Sequence, residues 1–578
     1  MRQKYAVRSM IVVTGLVLAA LAVIVQMVRI QTSEQAAVFL SQGDRYAGEF
    51  QTFYPERGEI YDRNGHLLAG NRTVYEVGVT LREMASPEAM ASALSATLGL
   101  TYDEVFRKLT ESPETWEYVV IQDYVAVEPV DKLKTLVAQL DDADDPRLSG
   151  LAFKPHLQRS YPENALASNV LGFVTRDGRG YFGIEEKYND LLAGNPVQVW
   201  VPRDPNKASE IPRVPNGTTL VLTINRDLQA NVESILDQAL IDYGAKNGTI
   251  IVTDPRNGEI LAMAATPRMD LNNYGNYFTL YDDGSQYNRS IGMSYEPGSV
   301  LKILTVAAAL DAGTIRPETT FIDTGAIEVG GITIQNWNRD AWGQQDMTGC
   351  LQHSLNVCLA WISSQMGPQS FYGYMERFGI GHPTGVDLSG EGTGRLKVPG
   401  DGDWYPVDLG TNSFGQGIAV TPVQMLMAAS AIANEGKMAT PHVLYSMIRD
   451  GHQYNVPPQY AGAPISAETA RTLNEMLAVS LEQESSLALL PGYRLAGKTG
   501  TAQIPTEYGY DPEHTNVSFV GWGPVDDPQF MVYVWLETPD TSIWASETAS
   551  PVFSKVAEQT VILLNIPPDV VRNQLATE

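Results

Sequence analysis

The stretch Glu296-Pro297-Gly298-Ser299-Val300-Leu301-Lys302-Ile303-Leu304 decides how the chain is read. Pro297-Gly298 breaks what precedes it, and the apolar, Ala-rich run from Val300 to Leu310 has the pattern of a buried helix. Ser299 then opens that helix, and Lys302 sits one turn on, on the same face. A hydroxyl and an amine so placed can act as nucleophile and base, provided the amine is neutral, which burial among apolar residues favours. The helix start also aims free N–H groups at developing negative charge. The plainer alternative is that Ser299 caps the helix and Lys302 snorkels to water. Ser-x-x-Lys alone does not separate the two, because both residue types are common.

Two further elements follow at a distance. Ser354-Leu355-Asn356 begins 55 residues after Ser299 (354 − 299), in a segment that reads as helix. Its hydroxyl and amide can hydrogen-bond a lysine and a substrate amide, although a plain helix N-cap by Ser354 fits too. Lys498-Thr499-Gly500-Thr501 lies between Leu495-Ala496 and Ala502-Gln503-Ile504 and reads as a strand at a cleft wall. Lys498 brings fixed positive charge, Thr499 and Thr501 bring hydroxyls for an anion such as a carboxylate, and Gly500 lets a substrate backbone approach.

The rest of the chain sets limits on these motifs. At 578 residues it is long enough for two or three domains, and 44% hydrophobic with 19% charged residues is a folding composition. Acids exceed bases, 67 − 40, for a net charge of −27, which argues against a nucleic-acid-binding face. Seven histidines form no metal-ligand pattern, so no metal or other cofactor is implied, and His353 reads as an ordinary imidazole. Cys350 and Cys358 lie in what reads as one helix, roughly 12 Å apart, too far for a disulfide, and are expected to be core thiols. Tyr295, Trp337, Trp342 and Trp404 are candidates for a cleft rim, though single aromatics are more often core.

Arg2, Lys4 and Arg8 precede the apolar run Ser9–Val28, long enough to cross a bilayer. The basic flank favours an inside N-terminus, so residues 1–8 read as a cytoplasmic tail, 9–30 as a transmembrane anchor, and the remainder as extracytoplasmic. A cleaved signal peptide ending near Ala20-Leu21-Ala22 is the rival, but the apolar run continues past it. Residues 31–215 read as strands and turns with a few helices. They include a hairpin at Arg57–Leu68 with a type I′ turn at Asn64-Gly65, a strand at Thr73–Thr80 and helices at Ser86–Leu98 and Thr101–Thr110. The acidic run 141–145 reads as a solvated loop, and Pro202–Pro215 as a linker. From 216 to 578 the pattern is α+β with antiparallel hairpins, beginning with strands at Thr218–Thr223, Thr249–Thr253 and Glu259–Ala265 around a helix at Asp227–Leu240.

Ser-x-x-Lys, Ser-x-Asn and Lys-Thr-Gly-Thr in this order resemble the motif set of penicillin-recognising serine enzymes. Across nearly its whole length the chain resembles a class B penicillin-binding protein. Pro55-Glu56-Arg57-Gly58-Glu59-Ile60-Tyr61-Asp62-Arg63-Asn64-Gly65, Arg159-Ser160-Tyr161-Pro162 and Gly183-Ile184-Glu185 match the family's pedestal, and Phe414-Gly415-Gln416-Gly417-Ile418 and Phe519-Val520-Gly521 its catalytic part. The resemblance implies an α+β transpeptidase domain, an antiparallel sheet flanked by helices, behind an elongated β-rich pedestal and one membrane helix. It also implies D-alanyl-D-alanine transpeptidation of peptidoglycan stem peptides, inhibited by β-lactams. On that reading Ser299 is acylated, Lys302 takes its proton, Ser354 relays a proton to the leaving group, and Asn356 holds lysine and substrate amide. Lys498, Thr499 and Thr501 would receive the terminal carboxylate, and the N–H groups of Ser299 and Thr501 would form the oxyanion hole. Val300-Leu301 departs from the family's frequent Thr-Phe and is expected to face helix packing.

The anchor and the pedestal argue against a β-lactamase, the single span against a penicillin sensor, and the intact motif residues against a non-catalytic scaffold. Only about 25 residues separate Ile30 from Arg57, too few for a glycosyltransferase domain. The size, short tail and Ser-Leu-Asn-Val sequence look more like the division type than the elongation type, and the resemblance implies a polytopic glycan-polymerising partner.

Overall fold

The structure is a computed structural model describing residues 2–32, 48–113, 115–202, 214–281, 286–484, 486–506 and 509–575. Most of the expected linker, 203–213, lies outside the described residues. The chain divides into two units, Met1–Glu56 with Gly194–Gly217, and Arg57–Ala193 with Thr218–Glu578.

In the first unit one helix, Arg2–Gln31, contains a 25-residue apolar stretch, Val7–Gln31, with mean hydropathy 2.7 and no buried residue. Its length and composition suit a membrane span. The strands Gly48–Phe53 and Val197–Pro202 pair antiparallel in the same unit.

The second unit begins with β1 (Ile60–Tyr61) and β2 (Leu67–Thr80), joined by the expected hairpin. Its turn is not type I′, because Gly65 takes positive φ (+88°) and Asn64 does not. Asp62 is the reason. Its Oδ1 accepts the N–H groups of Asn64 (2.8 Å) and His66 (2.7 Å), which curls the loop around one carboxylate. Then come α1 (Pro87–Leu98), capped by Ser86 and ended by Gly99, and α2 (Tyr102–Thr110), capped by Thr101. With β3 (Tyr118–Val125) and β4 (Leu151–Ser160) they enclose a small core around Val77, Met90, Leu94 and Ile121.

Further along lie β5 (Thr219–Leu222), α3 (Arg226–Tyr243), β6 (Asn247–Thr253) and β7 (Ile260–Ala265). After them come α4 (Lys302–Asp311), α5 (Met347–Gln352) and α6 (Asn356–Met366). The unit closes with β8 (Leu444–Arg449), β9 (His452–Asn455), β10 (Ala496–Thr506), β11 (Gly509–Gly523), β12 (Phe530–Glu537) and α7 (Ala549–Leu563). Among the described residues two sheets dominate. One is antiparallel with order β7-β6-β12-β11-β10. The other runs β9-β8-β5-β1-β2-β3, with β4 also on β2, so strands from both sides of residue 216 share it. Its link is the parallel pair β1–β5, Ile60 opposite Leu220.

The five-stranded sheet is covered on both faces, so β6, β7 and β12 are buried almost throughout and read as unbroken apolar runs. On one face Leu228, Val232 and Leu236 of α3 meet Val552, Phe553 and Val556 of α7. On the other, Trp535, Tyr533 and Val520 belong to one buried cluster with Val300, Leu304 of α4, Leu355 and Leu359 of α6. The candidate site lies on that second face.

Candidate active site

Ser299 lies in a short 3-10 turn, Gly298–Leu301, that runs directly into α4. Three glycines bring this turn against its neighbours. Gly298, at φ +55°, leaves no room for a Cβ, which would stand 2.7 Å from the Thr501 carbonyl. A Cβ on Gly415 would meet the Gly298 carbonyl at 2.1 Å, and one on Gly500 would meet Ser518 Oγ at 2.4 Å and the Pro297 carbonyl at 3.0 Å. The Gly298 N–H donates to the Gly415 carbonyl (3.1 Å). Gly500 is thus required first by contact between β10 and the Ser299 turn. Substrate approach was the reason the sequence suggested.

The Ser299 hydroxyl does not cap the helix and has no hydrogen-bond partner among the described residues. Lys302 does not snorkel, for its side chain is fully buried. Its Nζ donates to the Ser354 carbonyl (2.5 Å), to Ser354 Oγ (3.1 Å) and to Asn356 Oδ1 (2.8 Å), and lies 6.0 Å from the centre of the Phe414 ring. None of these partners carries a negative charge. Burial therefore holds the amine well below its usual pKa, and the charge of Lys498 pushes it down further. Val300 and Leu301 are both fully buried, as packing positions should be.

The Ser354-Leu355-Asn356 segment departs from its expected helix. α5 stops at Gln352 and α6 starts at Asn356, and Ser354 between them takes φ +51°. Ser354 caps neither helix, so its carbonyl and hydroxyl remain available to Lys302. The break also overturns the reading of the cysteines. Cys350 and Cys358 form a disulfide with Cα atoms 6.1 Å apart, because the kink folds the chain back where a continuous helix would have separated them. Leu355 N–H donates to the Cys350 carbonyl (3.0 Å) and closes the same turn. The missed signal was the pair of cysteines bracketing Ser-x-Asn, residues that favour turns over helix interiors.

Lys498, only 4% exposed, lies on β10 with its Nζ donating to Thr499 Oγ1 (3.1 Å). Burial lowers its pKa against the opposing pull of the Glu484 carboxylate. Thr501 Oγ1 accepts the Ala545 N–H (3.2 Å), which leaves its own proton free to donate. All eight residues read from the sequence therefore fall in three adjoining pieces: the Ser299 turn with the first residue of α4, the kink between α5 and α6 with the first residue of α6, and β10.

Of the four aromatics considered for the rim, Tyr295 is buried against Trp535, Trp404 bonds Tyr372, and Trp342 stacks on His353. Trp337 is 51% exposed; its indole donates to the His353 carbonyl and its ring meets Trp544 edge-on at 5.1 Å. Trp544, next to Ala545, escaped the sequence reading because nothing local marks it. No group of metal-ligating side chains is found among the described residues.

Comparison with known proteins bears on the same elements. Residues 248–558 match the family model described as the penicillin-binding protein transpeptidase domain. The chain belongs to the penicillin-binding protein transpeptidase family. Residues 52–210 match the penicillin-binding protein dimerisation domain, an architecture that places the chain in class B. Stage V sporulation protein D of Bacillus subtilis is 32% identical over 89% of this chain and 79% of its own length. The probable peptidoglycan D,D-transpeptidase PbpC of Pseudomonas aeruginosa is 28% identical over 98% of this chain and 97% of its own. Among solved structures, penicillin-binding protein 3 of Mycobacterium tuberculosis complexed with aztreonam superposes with a TM-score of 0.68 at 26% identity, covering 90% of this chain and 98% of that one.

Proposed function

We infer that this penicillin-binding protein is a peptidoglycan D,D-transpeptidase that works through an acyl-enzyme on Ser299. The single observation that carries this is the buried Lys302 amine, held by Ser354 and Asn356 without a counter-ion and one turn from a free serine hydroxyl. A neutral amine in that position accepts the serine proton as Oγ attacks the penultimate D-alanine carbonyl. Free N–H groups at the start of the turn, with that of Thr501, stabilise the oxyanion. Ser354 passes a proton to the departing D-alanine, and Asn356 orients Lys302 and the stem-peptide amide. Lys498, Thr499 and Thr501 bind the terminal carboxylate. An amine from a neighbouring stem peptide then attacks the ester, forming the crosslink and freeing Ser299. β-Lactams, in this reading, acylate the same hydroxyl.

Residues 216–578 carry the catalysis, 31–215 form the pedestal, and 9–30 anchor the protein in the membrane with 1–8 in the cytoplasm. The basic residues ahead of the apolar stretch support that orientation, as does the disulfide, which suits an oxidising compartment. We assign the protein to septal synthesis, beside a polytopic glycan-polymerising partner. Depletion in the host separates this from elongation, since filaments support septal use and rounded cells the alternative.

The enzymatic reading is tested by labelled penicillin and peptide mass mapping. An adduct on Ser299, lost in Ser299→Ala along with crosslinking while thermal unfolding stays unchanged, is the expected result. Crosslinking by the purified variant would sink the assignment.

A further inference from the structure

We propose that the Cys350–Cys358 disulfide is a positioning device for acyl transfer, holding the kink that delivers Ser354 and Asn356 to Lys302. The proposal rests on the acyl-enzyme reading above. All three acceptors of the Lys302 amine, the Ser354 carbonyl, Ser354 Oγ and Asn356 Oδ1, lie inside the loop that this bond closes. The helices on either side, Met347–Gln352 and Asn356–Met366, each contribute one cysteine, and both cysteines are fully buried. They do not touch substrate and act only through the backbone between them.

The kink needs holding because the local sequence has another option. Between the cysteines it carries no proline or glycine and reads as one continuous helix. The native turn instead places a non-glycine residue, Ser354, at φ +51°, a conformation that residues with a side chain rarely adopt. In a continuous helix the two Cα atoms would stand roughly 12 Å apart, twice the 6.1 Å that the disulfide imposes. The crosslink therefore excludes the helical alternative by geometry. In that alternative the Ser354 carbonyl would be taken up by intrahelical bonding, and Lys302 would lose its shortest hydrogen bond. Oxidation joins the two thiols with loss of two protons and two electrons to a thiol oxidant of the compartment, a disulfide or a quinone-linked oxidase. Reduction by an external dithiol reverses it.

Positioning can be told from mere stabilisation by separating the steps of penicillin acylation. The full chain is compared oxidised, refolded in reductant, reoxidised, and as Cys350→Ala/Cys358→Ala. Expected are an acylation rate constant lower by about tenfold or more in the reduced and cysteine-free forms, an unchanged dissociation constant for the non-covalent penicillin complex, and recovery on reoxidation. The alanine variant should stay slow when reoxidised. Should it fail to fold, the reduced and reoxidised native chain decides alone. Equal acylation rates in oxidised and reduced protein would overturn the proposal, as would mass mapping that finds free thiols in the native, fully active chain. Absence of any Ser299 adduct in the oxidised native chain would instead refute the acyl-enzyme reading itself.

Discussion

Two buried clusters of charge lie in the same unit, and they solve opposite problems. Around Glu185 opposite charges are paired. Arg57 approaches its carboxylate at 2.6 Å and Arg159 at 2.7 Å, Tyr161 adds a hydroxyl, and side-chain exposure does not exceed 9%. Around Lys302 no carboxylate accepts from the amine among the described residues. Two lysines share the space, and the acceptors offered to Lys302 are a carbonyl, a hydroxyl and an amide. A buried ion pair can keep its charges, whereas a buried lysine without a counter-ion is driven to give up its proton. The first cluster ties the segment ahead of β1, β4 and the Gly183–Lys187 helix together; the second is fit for proton transfer.

The contrast is broken most directly by removing each centre. Lys302→Met should lower the penicillin acylation rate by about a thousandfold or more, within the usual range for a lost general base, and shift stability by under about 2 kcal/mol. Glu185→Ala should do the reverse. With two arginines left buried, unfolding free energy should drop by about 3–5 kcal/mol, while the folded fraction acylates at the native rate. Chemical denaturation and stopped-flow acylation on both variants would show whether they fail in the same way, which would erase the distinction.

The two clusters also differ in how much of them was legible in the sequence. The Arg57, Arg159 and Glu185 segments stood out through family resemblance, but nothing local said they would meet, since their contacts span 26 and 128 residues. Ser299, Lys302 and β10 could be read from their surroundings: a Pro-Gly break, an apolar helix, a strand with Leu495-Ala496 before it. The kink at Ser354 could not, because its φ of +51° is held by tertiary bonds, the disulfide and the Lys302 amine, in a run that has no proline or glycine to mark a break. The same blindness hid the cysteine pair. At Asn64-Gly65 the hairpin was legible and its turn type was not, because Asp62, whose Oδ2 accepts the Arg226 N–H of α3, captured the loop's N–H groups with Oδ1.

A subtler probe is pH. Because the Lys302 amine is held well below its ordinary value of 10.5, part of it is neutral at pH values where a free lysine is fully protonated. Acylation should rise with pH through that lowered pKa and fall on the acid side, where the amine keeps its proton. Lys498→Ala removes the neighbouring positive charge, which now depresses Lys302, so the midpoint should move to higher pH. Glu484, which faces Lys498, has no direct part in this shift. A midpoint that stays put or moves down would mean that the two lysines are not electrically coupled.

The smallest expected effect tests whether the departure from the family at Val300 belongs to packing or to chemistry. Val300 is fully buried, and its Cγ1 stands 3.0 Å from where a Cβ on Gly500 would be, so it fills the joint between the Ser299 turn and β10. Val300→Thr exchanges one methyl for a hydroxyl of nearly equal size. The cost is the burial of a polar group, about 1 kcal/mol of stability if it finds a backbone acceptor in the first turn. Since the side chain lies in the joint and not beside the Lys302 amine, the acylation rate should stay within about twofold, a change of under about 0.5 kcal/mol in the barrier. A change much larger than that, with stability intact, would move residue 300 from the packing of the turn into the reaction itself.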